Sequence, residues 1–151
     1  MKTSQLSKKT FIISLIWLVV VTTFLGCQST TYVNKTAEAL NYEEAKRKFT
    51  DLRKHWEEEA QQHWYLSDTK AYWQWSAGQA IIAMGKEALP FVMEEVQKGN
   101  FFFNVPAARI TGISMRKEEE IMVSEQDIAR RWVKWWEANR NNPEWNVFLK
   151  Q

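Results

Sequence analysis

The apolar residues of this chain follow two different patterns, one continuous and one periodic. From Phe11 to Leu25 the sequence is apolar except at Ser14, Thr22 and Thr23. This run is shorter than the roughly 18 apolar residues of a membrane-spanning helix, and its length is typical of the apolar region of a signal peptide. Beyond residue 40 the apolar residues recur at three- and four-residue steps, which is the spacing of amphipathic helices. We therefore expect a targeting segment followed by a helical domain.

The periodic region opens with two long predicted helices. The first is expected from Asn41 to about Gln62, and its apolar stripe consists of Tyr42, Ala45, Phe49, Leu52 and Trp56. The second is expected from Ser67 to Gly85. It is apolar on both faces, which is typical of a helix packed between neighbours, so we expect it to form the buried centre of the domain.

Two shorter helices are predicted next. The third runs from Lys86 to Lys98 and ends at Gly99, and the fourth runs from Pro106 to Gly112. Glycine is favoured just after a helix because it adopts the left-handed conformation without steric cost. Residues 100–104, with three consecutive phenylalanines, are expected to form the loop between these helices.

The fifth helix has the clearest start signal, because Ser124 followed by Asp127 is a typical N-terminal cap. We expect residues 116–120 to form a solvated charged link before it and residues 145–149 to fold back after it. No strand is predicted. The elements together indicate an all-α fold of about five helices over residues 41–151, preceded by a polar tether at residues 27–40.

The residues around the continuous apolar run complete the pattern of an exported precursor. Three lysines lie within the first nine residues, and Gly26 and the chain's one cysteine, Cys27, follow the run. This order resembles a bacterial lipoprotein signal peptide with its lipobox. The resemblance implies that residues 1–26 are the signal, that cleavage follows Gly26, and that Cys27 is lipidated. An uncleaved N-terminal anchor helix is the alternative interpretation.

The same resemblance implies a location in the cell envelope. Acyl chains such as palmitate at Cys27 would hold the protein on a bilayer, because each buried CH₂ contributes about 0.8 kcal/mol. Gln28 after the cysteine resembles the sorting pattern for the periplasmic leaflet of the outer membrane if the host is Gram-negative. With one cysteine, the sequence also excludes an internal disulfide.

The net charge of the chain argues against two further classes of function. The precursor has a formal net charge of +2, but loss of the three signal lysines would leave 17 basic residues against 18 acidic ones. A nearly neutral domain supports neither nucleic-acid binding nor electrostatic attraction to a membrane surface.

Two segments suggest a family. Residues 81–91 resemble the helix–Gly–helix hinge of a HEAT-like repeat, with Gly85 at the turn. Residues 107–112, followed by Trp132 and the pair Trp135–Trp136, resemble a group of small bacterial HEAT-like proteins of unassigned activity. The resemblance implies an interaction surface without catalytic residues. One repeat and part of a second are visible, so a short α-solenoid and a compact helical bundle both remain open.

The chemical motifs give no basis for an enzyme. The sequence lacks the Gly-x-Ser-x-Gly, His-Glu-x-x-His and phosphate-binding glycine patterns. His55, Glu59 and His63 recur at one-turn spacing, but such a row drifts by about 40° per step, so three ligands converge poorly on one straight helix. We therefore expect no enzymatic activity, no metal site and no cofactor.

Aromatic residues are the remaining candidates for function. Eight tryptophans follow the signal, and Trp64, Trp73 and Trp136 fit the predicted cores least well. Side chains of an extended segment alternate, so at least one of three consecutive phenylalanines, first of all Phe102, is expected at the surface. Exposed aromatic rings are typical binding residues. The candidate partner-binding residues are Phe101, Phe102, Phe103, Trp73 and Trp136.

These observations lead to three hypotheses. The first is a non-enzymatic helical scaffold, tethered to the membrane, that binds a protein in the envelope; an immunity or antitoxin-like role is one specific form of it. The second is a lipoprotein that binds a glycan such as peptidoglycan through exposed tryptophans. The third is an enzyme whose site the sequence does not reveal.

Overall fold

The computed structural model of the chain describes residues 41–120 and 122–149. The expected signal peptide, the cleavage after Gly26, the lipidation of Cys27 and the tether therefore lie outside the described residues. Within the described ranges every regular element is helical, so the all-α fold is confirmed, and of the two architectures left open the domain has that of a compact bundle.

Five α-helices are found in the described residues. Helix α1 spans 41–61, α2 Ser76–Ala83, α3 Leu89–Gln97, α4 Asn104–Thr111 and α5 Glu125–Asn139. Three single turns of 3₁₀ helix connect the first four of them, at Ala71–Trp73, Gly85–Glu87 and Phe101–Phe103. The segment expected to be a loop between the third and fourth helices is thus helical as well.

Helix α3 is the centre of the bundle. It packs against α4, α5 and the 3₁₀ turn Phe101–Phe103, and most of its side chains are buried: Leu89, Phe91, Val92, Met93, Glu95 and Val96. The predicted boundaries were close, since Pro90 lies in the first turn and Gly99 follows the helix with a φ of 90°. A proline is tolerated in the first turn because its missing N–H has no intrahelical partner there.

The prediction that the second helix is long and central was wrong. Helix α2 has eight residues and begins after Trp75, whose backbone is extended. The carboxylate of Glu59 on α1 accepts bonds from the hydroxyl of Ser76 at 2.7 Å and from the amide of Ala77 at 3.3 Å. These bonds stabilise a new helix start at that point, because the first amides of a helix lack intrahelical acceptors.

Aromatic rings join α1 to the rest of the core. Trp56 stacks on Trp73 with 4.7 Å between ring centroids, and its indole nitrogen donates to the carbonyl oxygen of Tyr72 at 2.7 Å. Gly78 on α2 allows this approach, since an added Cβ would lie 3.1 Å from the Cα of Trp73. Both rings are buried.

Helix α5 begins where the sequence predicted it to begin. The hydroxyl of Ser124 accepts a bond from the amide of Asp127 at 3.1 Å, which confirms the expected cap. After α5 the chain folds back as expected. Phe148 packs edge-on against Tyr42 at 5.1 Å, and Trp145 packs against Trp135 at 5.4 Å.

The link before α5 is anchored rather than freely solvated. Glu120 accepts two bonds of 2.6 Å from the guanidinium group of Arg131 on α5, and Arg131 also donates to the carbonyl oxygen of Met115 at 2.8 Å. Hydrogen bonding from Arg131 lowers the pKa of Glu120 from 4.5 to about 2. The sequence pattern missed this pair because its members are separated by eleven residues and lie on different elements.

Candidate functional site

An open cleft lies beside the C-terminal half of α1. Its volume is about 450 Å³, and it is lined by Trp56, Glu57, Ala60, Gln61, Trp64, Tyr72 and Phe102. We call it the aromatic cleft because four of its seven lining residues carry aromatic rings. Its lining residues come from helix α1 and the segment just after it, and from the 3₁₀ turns Ala71–Trp73 and Phe101–Phe103.

The inner wall of the cleft is held rigidly. Phe102 is half-buried, and its ring packs edge-on against Tyr72 at 5.0 Å and stacks on Phe101 at 4.8 Å. Its carbonyl oxygen accepts a bond of 2.9 Å from the indole nitrogen of Trp73. Backbone and side chain are therefore both fixed, and Phe102, which was expected at the surface, is half-buried at the wall of an open cleft.

The outer edge of the cleft is the most exposed aromatic surface of the described residues. Trp64 is 80% exposed and Tyr65 is 65% exposed. They follow the end of α1, where the hydroxyl of Tyr72 lies 3.0 Å and 2.9 Å from the carbonyl oxygens of His63 and Leu66. This hydroxyl fixes the turn, so that Trp64 stays outside the core while Tyr72 lies inside it.

Three of the five candidate partner-binding residues are core residues. Trp73 and Phe103 are fully buried, and Trp136 is 6% exposed. Trp73 is buried because the 3₁₀ turn points it at Trp56, and Phe103 packs edge-on against it at 5.0 Å. Phe101 and Phe102 are partly buried and remain accessible.

Sequence reasoning placed Trp64 among the tryptophans that fit the core least well, but it missed Tyr65. A signal for both was present. Trp64 lies four residues after Ala60, so it would continue the apolar stripe if the helix continued. Helix α1 ends at residue 61, however, and the ring leaves the stripe. The helix end was predicted at about Gln62, one residue further on, so the available signal for the exposure of both rings was their position just after the helix.

The charged groups near the cleft are already paired. Arg53 donates to the carboxylate of Glu57 at 2.5 Å, and Glu59 is bound to the start of α2. His63 stacks on the ring of Trp75 with 4.5 Å between centroids, and His55 lies 3.4 Å from Glu58. The row His55, Glu59 and His63 is thus not assembled around one point, and the described residues contain no group of three or more residues placed to hold a metal.

Comparison with known proteins identified no relative of this chain. No family model, no curated protein and no solved structure matches the chain. None of the helices in 41–120 and 122–149 is both long enough and apolar enough to span a bilayer. The resemblance to HEAT-like proteins therefore stays a prediction from the sequence.

Proposed function

We propose that this chain is a non-enzymatic envelope lipoprotein whose helical domain binds a partner protein through the aromatic cleft. The observation that carries the proposal is the position of Trp64, whose ring is 80% exposed beside the half-buried Phe102. Large aromatic side chains at the surface dominate the binding energy of protein interfaces.

The construction of the cleft supports a protein partner. Phe102, Tyr72 and Trp56 are held by packing and by backbone hydrogen bonds before any partner arrives. A preformed apolar surface binds with a smaller ordering cost than a flexible one. A volume of about 450 Å³ fits one or two apolar side chains of the partner.

The N-terminal sequence supports the proposed location. A lipid at Cys27 would fix the chain to the membrane, and the polar tether at residues 27–40 would reach roughly 20 Å as a flexible coil. The domain would then meet partners that lie close to the membrane surface. An immunity-like role against a protein delivered to the envelope is one form of this proposal.

Glycan binding is the second candidate, favoured by one feature of the same cleft. The exposed ring of Trp64 lies beside the exposed amide of Gln61, so an apolar platform and a polar group occur together. Sugar rings present an apolar face and hydroxyl groups, and an amphipathic aromatic site suits both.

Site-specific photo-crosslinking in the intact envelope would test the proposal. A photoreactive phenylalanine analogue placed at Trp64 in the full-length protein should give a discrete protein adduct. The control is Lys48, an exposed residue on α1 that does not line the cleft; the same analogue placed there should give no such adduct. Equal adducts at both positions would contradict a specific cleft. If Trp64→Ala abolishes sedimentation with purified peptidoglycan and no protein adduct forms, the glycan function replaces the protein function.

A further inference from the structure

The aromatic cleft lies in an acidic part of the domain. Glu57 is the one charged residue among those that line the cleft. The sequence around it, residues 55–69, contains no lysine or arginine and four acidic residues: Glu57, Glu58, Glu59 and Asp68. The whole chain after residue 26 has 17 basic and 18 acidic residues, so the excess of negative charge is local to this segment.

The backbone of α1 adds to this negative charge. The helix ends at residue 61, and residues on both sides of that end, Gln61 and Trp64, line the cleft. The C-terminal end of an α-helix carries about half a negative elementary charge, because its last carbonyl groups have no intrahelical donors. A positively charged group at the cleft is therefore attracted by the carboxylates and by the helix end together.

Glu57 can accept a further hydrogen bond. Its Oε1 accepts a bond of 2.5 Å from Arg53, and no described residue donates to its Oε2. Arg53 also lies 3.8 Å from Glu95, so its charge is shared between two carboxylates. The side chain of Glu57 is 42% exposed. Since an ionised carboxylate has about four acceptor sites, a second cation can bind Glu57 without displacing Arg53.

The aromatic rings of the cleft suit a cation as well. The ring of Phe102 packs against those of Tyr72 and Trp56, with 5.0 Å and 6.1 Å between centroids, and these three rings form the inner wall. Trp64 lines the same cavity and is 80% exposed, so most of its ring is uncovered. The face of an aromatic ring is negative, and tryptophan attracts cations more strongly than the other aromatic residues do.

We propose that the cleft receives a basic side chain, a lysine or an arginine, from the partner protein. This inference rests on the proposed function, because it names the chemistry that the partner presents to the same site. The charged end lies against the ring of Trp64 and Oε2 of Glu57, and the apolar stem packs against Phe102. Lysine and arginine combine an apolar stem with a charged end, so one residue matches both the apolar and the acidic parts of the cleft.

Two pairs of short peptides test the requirement for charge, with the full-length protein as the receptor. Acetyl-Gly-Arg-Gly-amide is paired with its neutral citrulline counterpart, and acetyl-Gly-Lys-Gly-amide with its acetyl-lysine counterpart. Binding is followed by the amide chemical shift of Gln61, which lines the cleft and is kept in every variant. We expect at least one cationic peptide to bind about tenfold more tightly than its neutral counterpart. Equal binding within both pairs, or no binding by either cationic peptide, would overturn the proposal.

Matched variants locate the binding. Glu57→Gln should weaken binding of the cationic peptide about tenfold, because a charge-assisted contact is lost. Glu44→Gln removes an exposed carboxylate elsewhere on α1 and should leave binding unchanged. Trp64→Leu should remove the preference for the cation, whereas Tyr65→Leu should keep it, since the exposed ring of Tyr65 does not line the cleft. Equal effects within either pair of variants would show that the peptide associates with the general acidic surface instead.

The inference and the proposed function fail in different ways. A protein adduct at Trp64, together with no preference for the cationic peptides, would refute the basic side chain and leave the partner protein in place. A preference for the cationic peptides without any protein adduct would refute the partner protein and leave a cleft that binds cations.

Discussion

The indole nitrogen of Trp73 donates a hydrogen bond of 2.9 Å to the carbonyl oxygen of Phe102, which lies 29 residues further along the chain. Trp73 therefore holds the wall of the aromatic cleft from inside the core, while Trp64, nine residues earlier, forms its open edge. The segment between α1 and α2 thus carries one tryptophan that is buried in the core, Trp73, and one that is exposed at the surface, Trp64.

This division predicts opposite effects of the same substitution. Trp73→Ala should lower the free energy of unfolding by roughly 3–5 kcal/mol, because a large buried ring is replaced by a cavity. Trp64→Ala should change it by no more than about 0.5 kcal/mol, since the ring is exposed. Urea denaturation of the two variants measures both values. Similar losses would contradict the assignment of Trp64 to the surface.

Neighbouring isoleucines on α2 give a second matched pair. Ile81 is fully buried, whereas Ile82 is only partly buried. Ile81→Ala should therefore cost about 2–5 kcal/mol and Ile82→Ala clearly less. Thermal and urea unfolding of the two variants would measure the difference. A larger loss at Ile82 would mean that Ile82, and not Ile81, lies on the inner face of α2.

The start of α2 depends on a residue of another helix. Glu59→Ala should destabilise the domain by about 1 kcal/mol, the usual cost of losing a side chain that caps helix amides. Glu58→Ala is the control, because its exposed carboxylate makes no contact with α2. The free energies of unfolding of both variants should be compared at pH 7. If the control loses as much, the contact with Ser76 and Ala77 contributes nothing measurable.

The pair formed by Glu120 and Arg131 predicts a dependence on acid pH. The pKa of Glu120 falls from 4.5 to about 2 in the folded state because Arg131 donates two hydrogen bonds to it. A depressed folded pKa contributes stability that is present above pH 4.5 and is lost as the pH falls towards 2. Glu120→Gln should remove this contribution, so its stability should fall less steeply than that of the wild type across this range.

Urea midpoints recorded from pH 6 to pH 2.5 would measure the slope. Glu118→Gln, which removes an exposed carboxylate of the same link, serves as the control and should follow the wild type. Parallel curves for wild type and Glu120→Gln would show that the ion pair is not maintained in solution.

Features that depend on neighbouring residues were predictable from the sequence. Ser124 and Asp127 are three residues apart, and the cap they form follows from that spacing alone. Ile128 and Trp132 follow on one face of α5, and both are buried. The helix boundaries near Gly99 and Gly112 were also close, because glycine is suited to the positive φ found at both positions.

Features that depend on distant partners were not predictable in this way. The start of α2 is set by Glu59 across 17 residues, and the burial of Trp73 depends on the carbonyl oxygen of Phe102. The candidate site shares this difficulty. Trp64 faces the solvent because α1 ends before it, and Trp73 faces the core because of the way the 3₁₀ turn at Ala71–Trp73 directs its side chains. The spacing of apolar residues along the sequence determines neither feature.

The last prediction concerns the N-terminal segment, where the sequence pattern alone supports lipidation. Cleavage after Gly26 should leave Cys27 as the modified N-terminus, so the wild type should incorporate labelled palmitate and lose residues 1–26. Cys27→Ser should remain an unlabelled precursor, because serine lacks the thiol to which the lipid is attached. Gln28→Ala, one position further on, is the control and should keep the label. Mass spectrometry of the purified proteins gives the cleavage site directly. Palmitate on the Cys27→Ser protein would contradict lipidation at Cys27, and an intact N-terminus on the wild type would favour the uncleaved anchor helix, with the domain attached by its own chain.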